Sequence, residues 1–98
     1  MDIVKKVDGS QLTLSLSGRL DTTTAPQLEE ELNASLSGIT ELILDFENLI
    51  YISSAGLRIT LTAQKTMNKQ GSMKILHVNS EIMEVFEITG FCDILTIE

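Results

Sequence analysis

Leu44-Asp45-Phe46-Glu47-Asn48-Leu49-Ile50-Tyr51-Ile52-Ser53-Ser54-Ala55-Gly56-Leu57-Arg58 is the stretch on which the fold turns. It begins inside a short, nearly continuous apolar run, Glu41 to Phe46, the pattern of a strand covered on both faces. A loop follows, and consecutive serines then open a helix. If that helix starts at Ser53 or Ser54, its wheel gathers Gly56, Leu57, Ile59, Thr60, Leu61, Ala63 and Met67 on one broad face. Arg58, Thr62, Lys65, Thr66 and Lys69 fall opposite, and Gly71 is a natural C-terminal stop. The stretch is a strand, a loop and a helix N-terminus.

Upstream, Ile3-Val4-Lys5-Lys6-Val7 and the strictly alternating Leu12-Thr13-Leu14-Ser15-Leu16 bracket Asp8-Gly9-Ser10, which predicts a β-hairpin with one buried face. Gly18 ends its second strand, and Arg19-Leu20-Asp21 leads into a loop. Thr24-Ala25-Pro26-Gln27 fits a helix start with Thr24 as N-cap and Gln27 closing a capping box. Leu28, Leu32 and Leu36 then form a stripe with Glu29, Glu30 and Glu31 outside it, up to Gly38. Downstream, Lys74 to Val78 reads as a strand. Ser80 caps a helix through Ile82, Val85 and Phe86 that stops at Gly90, and Ile94 to Ile97 reads as a terminal strand. The order β-β-α-β-α-β-α-β predicts one α/β domain over residues 1–98, with a mixed sheet of four to five strands.

A single cysteine, Cys92, excludes an internal disulfide, and no apolar run approaches the ~20 residues of a membrane span. A cytoplasmic protein without a membrane segment is the expectation. The net charge of −7 argues against direct nucleic-acid binding. Residues 21–47 carry seven acids and no Lys or Arg, whereas residues 48–80 carry only Arg58, Lys65, Lys69 and Lys74. The helix that opens at the serines is therefore a mildly basic island on an acidic chain. His77, in an alternating strand and without a Gly-x-Ser-x-Gly elbow elsewhere, reads as a packed or edge residue. Cys92 reads as apolar packing, and Met67 and Met83 as core filling. No paired metal ligands and no glycine-rich phosphate cradle occur, so neither a metal nor a cofactor is expected.

Serine at a helix N-terminus usually only caps, accepting a bond from a free backbone N–H. A phosphate placed there gains more, because unpaired N–H groups and the helix dipole favour an anion. Gly56 permits a close backbone approach and Arg58 adds a positive charge.

The strand, the loop and the Ser-Ser-Ala-Gly-Leu-Arg helix start resemble the STAS domain of bacterial anti-sigma factor antagonists. Ser17-Gly18-Arg19-Leu20-Asp21 matches a Gly-x-Leu-Asp signature of that family. Glu84-Val85-Phe86-Glu87-Ile88-Thr89-Gly90-Phe91 matches its apolar helix followed by Gly-Phe. The resemblance implies a non-enzymatic switch. The unphosphorylated antagonist binds an anti-sigma factor that is itself a serine kinase, which frees a sigma factor. The kinase phosphorylates a serine at the helix start, and a serine phosphatase of the PP2C type reverses it.

The resemblance also departs from the family's Asp-Ser-(Ser/Thr)-Gly at the decisive place. Aligned on Gly56, the acidic position is Ser53 and the acceptor position is Ala55, which has no hydroxyl. Ser54 is then the expected phosphosite, with Ser53 as the alternative. Asp21, Ser53, Ser54, Ala55, Gly56 and Arg58 form the expected partner surface on a protein that is monomeric when free. Asp21 reads equally as a turn former. The rival reading, kept open by Ala55, is an unphosphorylated STAS scaffold or adaptor of a sensory or lipid-transport complex.

Overall fold

A computed structural model describes residues 1–98. Strands β1 (Asp2–Asp8) and β2 (Gln11–Leu20) pair antiparallel across a turn in which Gly9 takes a φ of 61°. Helix α1 (Ala25–Ser35), strand β3 (Glu41–Ile52), helix α2 (Ser54–Gln70), strand β4 (Ser72–Leu76) and helix α3 (Ser80–Thr89) follow. The sheet order is β1-β2-β3-β4, with β2–β3 and β3–β4 parallel, as strand–helix–strand crossovers require.

The helices all lie on one face. Leu12, Leu14 and Leu16 of β2 and Leu42, Leu44 and Phe46 of β3 pack there against Leu28 and Leu32 of α1, Leu57, Ala63 and Met67 of α2, and Ile82 and Phe86 of α3. Each Leu or Phe removed from water in such a core contributes about 1.5–3 kcal/mol. The opposite face carries Thr13 and Ser15 of β2, Asp45 of β3 and Lys74 of β4, all half-buried, with Ile43 set apart from the main core. Four strands thus carry a helical layer on one side only.

The structure moves several boundaries. β2 does not end at Gly18 but continues to Leu20, and β3 does not give way to a loop at Phe46 but runs to Ile52, with Leu20 opposite Ile52. Two extra residues on β3, one between Asp45 and Asn48 and one between Leu49 and Tyr51, bulge the strand and break the alternation that would have marked it. The capping box at α1 does not form. The Thr24 hydroxyl donates to the Arg19 carbonyl at 2.7 Å and accepts from the Asp21 N–H at 2.8 Å, while the Gln27 amide donates to the Met1 carbonyl. At α3 the N-cap is Asn79 rather than Ser80, its oxygen accepting from the Ile82 N–H at 2.8 Å. β4 ends at Leu76, before His77.

The terminal strand shrinks to a single parallel bridge, Ile75 to Ile97. The Ile75 N–H donates to the Thr96 carbonyl and the Glu98 N–H to the Ile75 carbonyl, each at 2.9 Å. A 3-10 turn over Phe91–Asp93 takes up the preceding residues through bonds from the Ile94 and Leu95 N–H groups to the Phe91 carbonyl, so only the last residues reach β4.

Candidate functional site

The site is the junction of two connections, β2 to α1 and β3 to α2. Ser53 caps α2 in extended geometry, its oxygen facing the Gly56 N–H at 3.5 Å while its own N–H donates to the Leu20 carbonyl at 2.9 Å. Gly56 is buried at this seam. A Cβ there would stand 2.7 Å from Leu20 Cγ, 2.8 Å from Ile52 Cγ1 and 2.9 Å from the Leu20 carbonyl oxygen. The close approach that glycine permits is thus made by the chain itself. Gly56 supports the expected surface from beneath.

Above the seam the side chains diverge. Ser54 is exposed as the first residue of α2, Ala55 is half-buried against the core, and Arg58 is exposed one turn on with no ion pair. A groove of about 330 Å³ runs between the starts of α1 and α2, lined by Thr22, Pro26, Glu29, Ser54, Ala55 and Arg58. Arg58, Lys65 and Lys69 are all exposed along the outer face of α2, so the basic island lies where the wheel placed it.

Asp21 is engaged by its own turn. Its carboxylate accepts from the Thr23 hydroxyl at 2.8 Å, the Thr23 N–H at 3.0 Å and the Thr24 N–H at 3.2 Å. The Thr23 hydroxyl foremost, then the two amides and the Thr24 hydroxyl, hold this carboxyl below its ordinary range against the opposing effect of burial. Its other oxygen lies 3.6 Å from Arg19 Nε, and the Arg19 guanidinium stacks 4.1 Å over the Tyr51 ring. The Arg19–Tyr51 stack ties the two connections together. Sequence reasoning missed it, because the second bulge hides that Tyr51 is the β3 partner of Arg19.

Two other expectations are corrected. Cys92 is exposed in the 3-10 turn rather than packed, its Sγ 3.8 Å from the half-buried Met83 sulfur. His77 is exposed beyond β4, at a φ of 58°, and its Nδ1 lies 2.9 Å from Asp45 Oδ1 on the open sheet face. Glu47 completes a group whose ligand-type atoms lie within 4.8 Å of one another. The hydrogen bond that the His77 ring donates to Asp45 first, then the charges of Asp45 and Glu47, raise the His77 pKa above its ordinary value. His77 is bonded to Asp45 and to neither serine.

No helix is long and apolar enough to cross a membrane. Residues 2–98 match the STAS domain family. BtrV of Bordetella bronchiseptica, a protein named for anti-sigma factor antagonism, is 39% identical over 94 residues, covering 94% of this chain and 80% of that one. The anti-sigma-B factor antagonist of Staphylococcus aureus is 33% identical over 84 residues, covering 84% of this chain and 78% of that one. Among solved structures, an anti-sigma factor antagonist from Mycobacterium paratuberculosis superposes with a TM-score of 0.88 at 20% identity, covering 98% of this chain and 83% of that one. The antagonist SpoIIAA in its unphosphorylated form gives 0.78 at 18% identity, covering 99% and 87%. The chain belongs to the STAS domain family, in which the two relatives just described are named as anti-sigma factor antagonists.

Proposed function

We propose that this protein is an anti-sigma factor antagonist that docks on an anti-sigma factor serine kinase through the α1–α2 groove and the exposed start of α2. The proposal extends to regulation. Ser54 takes a phosphate from that kinase, and a PP2C-type serine phosphatase removes it. One observation carries the assignment: of the three residues at the helix start, only Ser54 combines a hydroxyl with exposure. Ser53 is half-buried with its oxygen turned to the Gly56 N–H, and Ala55 has nothing to phosphorylate. A phosphate on Ser54 would meet the positive end of the α2 dipole and share the groove with Arg58, so the free protein tolerates it. The same added charge, about −1.5 to −2, opposes burial in a packed interface.

The test is incubation with the anti-sigma kinase encoded by the same organism and ATP, followed by peptide mass spectrometry. The expected result is phosphate on Ser54, abolished in Ser54→Ala, together with weaker kinase binding. Tight binding with no phosphate on Ser53 or Ser54 overturns the regulatory half and leaves a constitutive antagonist. Absence of both sends the assignment to the scaffold reading, which Ala55 at the acceptor position specifically favours.

A further inference from the structure

The two edges of the sheet are finished differently. The β4 edge is partly covered by the tail that bonds Ile75, whereas β1 offers its outer edge bare from Asp2 to Asp8. An uncovered edge presents a row of unpaired N–H and C=O groups to another strand. Two large apolar side chains stand exposed on it, Val4 at 63% and Val7 at 55%. Beside it, on the helical side, a groove of about 380 Å³ lies between β1 and α1, lined by Ile3, Gln27, Glu30, Glu31 and Ala34.

We propose that β1 pairs antiparallel with β1 of a second copy of this chain, in the register that sets Val4 opposite its own equivalent. Asp2, Val4 and Lys6 pair with Ser17, Ser15 and Thr13 and so share the open face, while Ile3, Lys5 and Val7 pair with Leu16, Leu14 and Leu12 on the helical side. A two-fold axis normal to the sheet through Val4 preserves both faces. It places Asp2 opposite Lys6 of the other copy, Ile3 opposite Lys5, and Val7 opposite Met1. Each Lys5 then enters the groove that holds Glu30 and Glu31 of the other copy. Lysines on an edge strand normally keep edges apart by meeting one another. In this register each meets a carboxylate instead, and both exposed valines are covered.

Because the patch is self-complementary, the contact is isologous, so pairing closes at two copies and gives an eight-stranded sheet with every helix on one side. Seven residues of edge make a small contact beside the ~1,200 Å² of a stable complex. The free protein is therefore a monomer in dilute solution that dimerises weakly at high or local concentration.

Disulfide trapping tests the register, in a Cys92→Ser background so that no native thiol competes. Val4→Cys is expected to cross-link to its equivalent under mild oxidation at least about tenfold faster than Lys6→Cys or Val7→Cys, whose partners are other residues. Sedimentation of the unmodified chain should show a concentration-dependent dimer. Lys5→Glu replaces two attractions by two repulsions and should weaken it about tenfold, and adding Glu30→Lys and Glu31→Lys to the same chain should restore it. Surface substitutions of this kind leave the fold intact, which circular dichroism checks. A monomer at every concentration overturns the proposal, as does a dimer in which Val4→Cys links no faster than the other two.

Discussion

At Gly56 two tendencies oppose each other. Alanine would favour the helix by about 1 kcal/mol over glycine. Its Cβ, however, meets three heavy atoms closer than 3.0 Å, and one of them, the Leu20 carbonyl oxygen, belongs to backbone already bonded to the Ser53 N–H. A rotating side chain can yield, whereas that carbonyl yields only if α2 lifts off the β2 end. Gly56→Ala is therefore expected to lose stability, by about 1–3 kcal/mol net. It should also displace Ser54 and Arg58 from the groove together. Urea unfolding measures the first effect and anti-sigma factor binding the second; an unchanged or higher unfolding midpoint refutes the close packing of Gly56 on the β2 end. Gln64 presents the reverse case. It is buried in α2, its amide donates to Asn68, and its Oε1 finds no partner in the protein. Replacing it with leucine removes an unsatisfied acceptor, so Gln64→Leu should raise stability by about 1 kcal/mol, read as a higher melting temperature.

Among the elements, α3 shows where sequence reasoning succeeds and where it slips. Its body was legible: Ile82 and Phe86 are buried, and Gly90 stops it in the left-handed region at a φ of 79°. Its cap was not, since Asn79 and Ser80 are adjacent polar residues and either fits the preference for small oxygen-bearing caps. Asn79 prevails because it does two things at once. Its oxygen accepts from the Ile82 N–H, and its amide donates at 3.0 Å to the carbonyl of Leu49 on β3. Asn79→Ala should thus cost about 1–2 kcal/mol, from the lost cap and an orphaned carbonyl. Ser80→Ala, at an exposed position, should stay within about 0.5 kcal/mol. Paired denaturant titrations decide it, and equal losses would return the cap to Ser80.

The candidate site divides in the same way. The helix start at Ser53–Ser54 and the outward Arg58, Lys65 and Lys69 follow from spacing alone. The extension of β3 to Ile52 and the Arg19–Tyr51 stack were invisible, because two inserted residues shift the strand's phase and only the neighbouring strand reveals the count.

For the molecule as a whole, placing every helix on one face leaves the far side of the sheet held by side chains alone. There the His77–Asp45 bond joins the middle of β3 to the connection between β4 and α3. It is a tie across the chain's crossover and it titrates. Asp45, and Glu47 behind it, raise the folded-state pKa of His77 above the ordinary value of about 6.5. A group whose folded pKa is raised contributes stability that is fully present below the unfolded value and is lost as pH rises through the folded one. The histidine is exposed, so screening keeps its contribution small and salt-sensitive. The expected signature is a difference between two proteins. Wild type should melt above His77→Ala below about pH 6.5, and the gap should close as the pH rises beyond that value and through the raised folded-state pKa. Raising the salt at the lower pH should narrow that gap as well. A gap that is constant with pH would mean that His77 acts through packing or through its positive φ, and that the bond to Asp45 carries no charge of its own.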